Sequence, residues 1–201
     1  PFPYLTFFFF FFQMKTFLVF FSIVTFAYAI GLTQTNRDQV VLDHNGARAD
    51  ADPTPVPALV PMTYDTDLEA SSSTYADSCS YLNHSGQNGV GENIYISSNP
   101  NDTPEQLVAG AIRGQFGWES EEADFTYNEA GRDASCTPNE ICGHYTQMVW
   151  DDSTKVGCGY ASCDNGADFT TDTQFFTYSV FICQYTLPGN VNDDLPYTIC
   201  S

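Results

Sequence analysis

Basic residues are scarce in this chain. Six Lys and Arg stand against 25 Asp and Glu, a formal net charge of −19 over 201 residues. A surface of that sign is repelled by phosphate backbones and by anionic headgroups, which argues against nucleic-acid binding and polybasic membrane docking. The chain has no Cys-x-x-Cys pair, so a zinc ribbon or a thioredoxin-type motif is not expected. It also has no His-Glu-x-x-His, no Gly-x-Ser-x-Gly and no phosphate-binding loop, which removes the common sequence routes to a metalloprotease, a serine hydrolase or a nucleotide-binding protein. Histidine is limited to His44, His84 and His144. No internal repeat is visible. The length suits one domain large enough to bury a core.

Phenylalanine, in contrast, is abundant near the start. Residues 1–13 include six consecutive Phe and read as translated untranslated sequence. Met14 and Lys15 open a different pattern. Lys15 is a short positive region, Phe17 to Phe26 an apolar one, and Ala27-Tyr28-Ala29 a small-x-small cleavage site. That anatomy is a secretory signal peptide over residues 14–29, too short for a membrane anchor. An anchor using both Phe-rich pieces is the alternative, interrupted by Gln13 and Lys15. The expectation is a secreted, extracellular single domain over residues 30–201 with a short C-terminal tail and no further transmembrane segment. Seven cysteines fit an oxidising compartment: Cys79, Cys136, Cys142, Cys158, Cys163, Cys183 and Cys200. Six would form three disulfides and one would be left over. Asn83-His84-Ser85 and Asn101-Asp102-Thr103 are glycosylation sequons.

Along the chain, residues 34–48 read as a helix with Val40, Val41, His44 and Ala47 on one face. Four prolines make Asp52–Pro61 an extended connector. Asp65 or Thr66 can cap a second helix, predicted to run through residue 83 with Leu68, Ser72, Tyr75, Ala76, Cys79 and Leu82 on one face. A glycine-rich loop, 86–91, leads into the short apolar segment Asn93 to Ile96, and 97–103 is a polar loop. Thr103-Pro104-Glu105 starts a third helix, predicted to reach about Phe125. The segment 126–142 reads as irregular and His144 to Trp150 as a short helix. Lys155 to Cys163 and Phe175 to Tyr185 read as strands. The second is apolar on both faces, with Phe176, Tyr178, Val180 and Ile182 against Phe181, Cys183 and Tyr185. A strand of that kind is central, with something packed on each side. Together these elements predict a mixed α+β domain, a layered helix–sheet–helix arrangement.

Several segments resemble one family. Gly143-His-Tyr-Thr-Gln-Met-Val-Trp-Asp-Asp-Ser153 resembles the first signature of the CAP superfamily (cysteine-rich secretory proteins, antigen 5, pathogenesis-related 1). Val180-Phe-Ile-Cys-Gln-Tyr-Thr-Leu-Pro-Gly-Asn-Val191 resembles the second, with Leu187 as a departure. His44-Asn45-x-x-Arg48, Gly91-Glu92-Asn93-Ile94 and Pro61-Met-Thr-Tyr-Asp-Thr-Asp-Leu68 resemble further motifs, the last with Tyr64 where the family has Trp. The likeness covers roughly residues 36–197 and is greatest to the pathogenesis-related 1 branch.

The resemblance implies a three-layer α-β-α sandwich with a cleft holding two histidines and two acidic residues. Carried over by motif these are His84, Glu92, Glu121 and His144. Glu119 and Glu122 neighbour Glu121, and only the Trp118-x-Ser-Glu121 spacing selects it. It also implies the disulfides Cys79–Cys163, Cys136–Cys142 and Cys158–Cys183, leaving Cys200 odd.

Two imidazoles with carboxylates suit zinc or another divalent metal, with His84 and His144 as ligands, although no cofactor is required by the sequence. The same groups could act as acid and base on a bound water, and the foremost reading is a hydrogen-bonded network that fixes loops to the sheet. His44, on an apolar helix face, reads as a packed core residue, and Asn45 and Arg48 as structural. The leading expectation is a non-enzymatic domain that binds a sterol, a fatty acid or an extracellular protein in defence or signalling. A metal-dependent hydrolase and a precursor releasing a peptide after Thr186 are the alternatives.

Overall fold

The structure is a computed structural model that describes residues 31–80, 82–127, 134–164, 177–191 and 194–199. The Phe-rich start, the signal segment, Tyr81, Phe175, Phe176 and Cys200 lie outside the described residues.

Helix α1, Gln34–Asp50, begins where the Thr33 hydroxyl accepts from the Asn36 amide, and it buries Val40, His44 and Ala47 on one face. The proline-rich stretch after it is not helical, and its Pro55 pairs with Ile199 near the C-terminus. Strand β1, Thr63–Tyr64, leads into α2, Thr66–Asp77. Asp65 caps α2 by accepting from the amides of Asp67 and Leu68. Helix α2 stops six residues short of the predicted end. Ser78 and Asn83 turn their side chains onto the local carbonyls of Tyr75 and Ser80, competing with helical bonds, and Cys79 has a positive φ of 51°. Leu82, expected on the buried face, is exposed.

Strand β2, Gly91–Ser97, precedes α3, Pro104–Arg113, which Thr103 starts with a capping box to Gln106. The predicted run to Phe125 is broken. Gly114 through Gly117 form a tight turn, and the chain resumes as a 3-10 helix over Trp118–Asp124. The segment expected to be irregular contains a small antiparallel pair, β3, Phe125–Tyr127, and β4, Ala134–Cys136. Helix α4, Gly143–Met148, then leads to the long strands β5, Lys155–Asp164, and β6, Thr177–Thr186.

The main sheet has the order β1-β5-β6-β2, with β1 parallel to β5 and the other pairings antiparallel. Strand β6 is internal and buried along nearly its whole length, as its two apolar faces require. Tyr178, Val180 and Ile182 meet Ala76 of α2 on one side. Phe181, Cys183 and Tyr185 join Val40, Leu107, Ile112, Trp118 and Met148 on the other. Helix α2 therefore forms one outer layer, and α1, α3 and α4 the other: a three-layer α-β-α sandwich.

Helix α2 lies unusually close to β5 because Gly157 and Gly159 face it. A Cβ at Gly157 would sit 2.3 Å from the Asp65 carbonyl oxygen, and one at Gly159 the same distance from the Ser73 amide. Disulfides join Cys79 to Cys163, Cys136 to Cys142 and Cys158 to Cys183. The first ties the end of α2 to β5 and the third cross-links β5 to β6. No helix of the described residues is long and apolar enough to cross a membrane.

Candidate functional site

The four residues selected by motif form two separate histidine–carboxylate pairs. In the first, His144 Nδ1 lies 2.6 Å from Glu121 Oε1. Glu121 Oε2 accepts from the backbone amides of His144 and Tyr145, at 2.9 and 3.1 Å. Glu121 comes from the 3-10 helix and His144 from the first turn of α4, whose unpaired amides favour a carboxylate. Asn93 of β2 donates to the His144 carbonyl, and the His144 ring stacks at 6.0 Å on buried Trp118. In the second pair, His84 Nδ1 lies 2.9 Å from Glu92 Oε1, which also accepts from the Ser85 amide at 2.8 Å. Glu92 Oε2 accepts from Gln184 Nε2 at 3.0 Å. The His84 side chain is 62% exposed against 27% for His144.

Both carboxylates thus have both oxygens engaged, and both imidazoles use Nδ1, leaving each ring its Nε2. Two imidazole nitrogens are fewer than the three or four protein ligands of an ordinary zinc centre. Among the described residues no group of three His, Cys, Asp or Glu could hold a metal ion. The residues do not fit a four-ligand centre, and the pairing is what a network that fixes loops would show. The neighbouring carboxylates are placed apart from these pairs: Glu122 accepts from the Tyr145 hydroxyl, and Glu119 faces Arg113.

Each pair borders its own cavity. His84 and Glu92 edge a small polar pocket of about 220 Å3 with Ser85, Gln87, Gln147 and Asn190. Its wall is held by Gln147, which accepts from the Gly189 amide and donates to Ser153. His144 and Glu121 stand at the polar side of an apolar groove of about 570 Å3 along the edge strand β2, lined by Leu82, Ile94, Tyr95, Ile96, Phe116, Trp118 and Ile141. Phe116 is 86% exposed, Ile141 65% and Leu82 59%. Three large exposed side chains from three different loops thus converge on one groove. Sequence periodicity does not select them; the one signal is Phe116 standing in a glycine-flanked turn, where no helix can bury it.

The third histidine is sealed in the core. His44 Nδ1–H donates to the Val40 carbonyl, and Nε2 accepts from the Tyr185 hydroxyl at 2.9 Å. Burial is the main cause that pulls its pKa down to about 4, with Arg48 adding to it. Arg48 donates to the carbonyls of Val60, Met148 and Trp150, and burial lowers its pKa to about 10. Asn45 exchanges two bonds with the Met62 backbone. Asn45 and Arg48 thus tie α1 to the segment before β1 and to the end of α4, and His44 ties it to β6.

A disulfide-stapled three-layer sandwich whose open face carries paired histidines and glutamates is the architecture of cysteine-rich secretory domains. The chain belongs to the CAP family: the model of the cysteine-rich secretory protein family matches residues 42–185. Pathogenesis-related protein 1A1 of Solanum lycopersicum is 31% identical over 166 residues, covering 81% of this chain and 77% of that protein. A PR-1-type protein of Sambucus nigra is 31% identical, covering 83% and 84%. Mouse peptidase inhibitor 16 is 30% identical over 85% of this chain, which spans only 32% of that protein's length. Among solved structures, NaASP2 with Zn2+ superposes with a TM-score of 0.64 at 22% identity, covering 87% of this chain and 90% of that one. BmVAL-1 gives 0.61 at 23%, covering 85% of each. At these identities the likeness establishes the fold.

Proposed function

We propose that this chain is a secreted, non-catalytic CAP domain of the pathogenesis-related 1 type that holds a small apolar ligand in the groove beside His144. The observation that carries the reading is the convergence of Leu82, Phe116 and Ile141, all exposed, on one groove of ligand size. The ligand is an uncharged lipid with one hydroxyl, a sterol rather than a fatty acid. A fatty-acid carboxylate at the polar end would sit beside the Glu121 carboxylate in a chain of net charge −19. A hydroxyl can exchange a hydrogen bond with His144 at no such cost. Residues 14–29 serve as the export signal, residues 1–13 are not part of the secreted protein, and binding needs no metal.

Two observations favour this over the other readings. A hydrolase built on these four residues needs them around one substrate, whereas His84 and His144, each with Nε2 free, border different cavities, and Glu92 and Glu121 are occupied by bonds that fix loops. Release of a peptide after Thr186 would draw out Tyr197, which is 1% exposed, and break the pairing of Val56 with Thr198.

The test uses the secreted chain and a fluorescent sterol, read by energy transfer from Trp118 and by equilibrium binding, with a fluorescent fatty acid as the comparison. Phe116→Asp, at an exposed position, should keep the fold and weaken sterol binding by about tenfold or more. Chelation should leave affinity unchanged. The reading is abandoned if no saturable sterol binding occurs, or if Phe116→Asp binds as well as the parent.

A further inference from the structure

We propose that Asn83 carries an N-linked glycan, placed between the entrances of the two cavities. The proposal rests on the export reading above. Asn83-His84-Ser85 has the acceptor amide and the hydroxyl two residues on. Leu82, Asn83 and His84 are three successive exposed residues on the loop between α2 and β2. Leu82 lines the apolar groove and His84 the polar pocket, so Asn83 stands where the two mouths meet.

The folded loop accommodates the modification. The Asn83 carbonyl accepts from the Tyr75 hydroxyl, which holds the backbone without using the side chain. Its Nδ2 donates one bond, to Ser80 O at 3.0 Å. Glycosylation consumes one of the two amide hydrogens and leaves one for that bond. Nδ2 forms a bond to the anomeric carbon of a lipid-pyrophosphate-linked oligosaccharide. The carbon–oxygen bond to pyrophosphate breaks, the lipid pyrophosphate leaves with the electron pair, and the amide gives up one proton. The second sequon is the poorer acceptor. Pro104 follows Thr103 directly and holds it extended, at φ −72° and ψ 158°, and the Thr103 hydroxyl caps α3 by accepting from Gln106 N.

A bulky, solubilising group at this position has a physical purpose. The groove exposes large apolar side chains on three loops, a surface prone to self-association. A flexible glycan beside Leu82 blocks a second protein surface from settling there while leaving a small ligand free to enter.

The full chain is expressed in a eukaryotic secretory host and recovered from the medium. Peptide N-glycosidase in heavy-oxygen water converts a glycosylated Asn83 to labelled aspartate, which peptide mass mapping locates. The expected result is labelled residue 83 and a glycosidase-sensitive mobility that is lost in both Asn83→Gln and Ser85→Ala. The second variant removes only the hydroxyl, so it keeps the test valid if the first does not fold. A secreted chain with unlabelled Asn83 overturns the proposal while leaving the export reading intact, whether or not Asn101 is modified. A chain retained in the cytosol without glycan overturns both.

Discussion

Glu121–His144 and Glu92–His84 are the same two functional groups in two settings. Glu121 is held by two backbone amides at the start of α4 as well as by its histidine, and that histidine lies on the Trp118 ring at the edge of the core. Glu92 is held by one backbone amide and one amide side chain, and its histidine is mostly in water, on a loop that carries Gly86 and Gly89 at positive φ. Identical chemistry therefore acts differently. The first pair closes a helix start that the core depends on. The second pins a surface loop to a sheet edge. Glu92 is the more buried carboxylate, at 5% exposure against 15% for Glu121, so the difference lies in the partners: Glu121 satisfies two amides at a helix start and a histidine packed on the core, and the first pair should dominate stability.

The comparison is tested most severely by Glu121→Ala. It removes three charge-assisted bonds and leaves the amides of His144 and Tyr145 without their acceptor beside the core. The expected loss is roughly 3–4 kcal/mol in urea unfolding, with α4 loosened in hydrogen exchange. A loss below about 1 kcal/mol would show that the helix start is satisfied by water and that the two amides at the start of α4 do not set the first pair apart.

The third histidine supplies the reference, because it has no carboxylate at all. His44 is neutral and buried, with its pKa lowered to about 4 chiefly by burial, against 6.5 in an open chain. Between those values the unfolded chain binds a proton that the folded one refuses. This contribution to stability is complete above pH 6.5, falls as the pH drops, and is lost by about pH 4. The interval corresponds to about 3 kcal/mol. Unfolding free energy measured at steps from pH 7 to pH 4 should show that loss, and His44→Gln should flatten it. A pH slope that survives in His44→Gln would show that the burial of His44 is not the source of the acid sensitivity.

Much of the sandwich was legible because its causes are local and periodic. The cap at Asp65, the proline start of α3 and the two-faced apolar pattern of β6 each follow from a few adjacent residues. The missed boundaries have equally local but non-periodic causes. Ser78 and Asn83 divert backbone bonds at the end of α2, and the Gly114–Gly117 turn splits a run that still looks helical by composition. The four site residues were selectable by motif, yet their division into two pairs was not. That division depends on which oxygen of each glutamate meets which backbone amide, a matter of tertiary placement. The groove was nearly hidden for a related reason: Phe116 reads as core in any hydrophobicity count, and only the glycines flanking it signal the turn that leaves it in solvent.

The finest test of the comparison is Glu92→Gln. The replacement keeps one oxygen that can accept from the Ser85 amide, and it loses the charge that faces His84. Gln184 Nε2 then competes with Ser85 for that oxygen. Because His84 is largely exposed, its contact with Glu92 contributes little, and the expected cost is about 1 kcal/mol or less. The readout that distinguishes a loop pin from a core support is local. Amide exchange should quicken around Ser85 and Gln87 and stay unchanged in α4, and sterol binding at the groove should keep its affinity. If α4 loosens as well, the two pairs are coupled through Asn93, which adjoins Glu92 on β2 and donates to the His144 carbonyl, and the division into two independent networks is wrong.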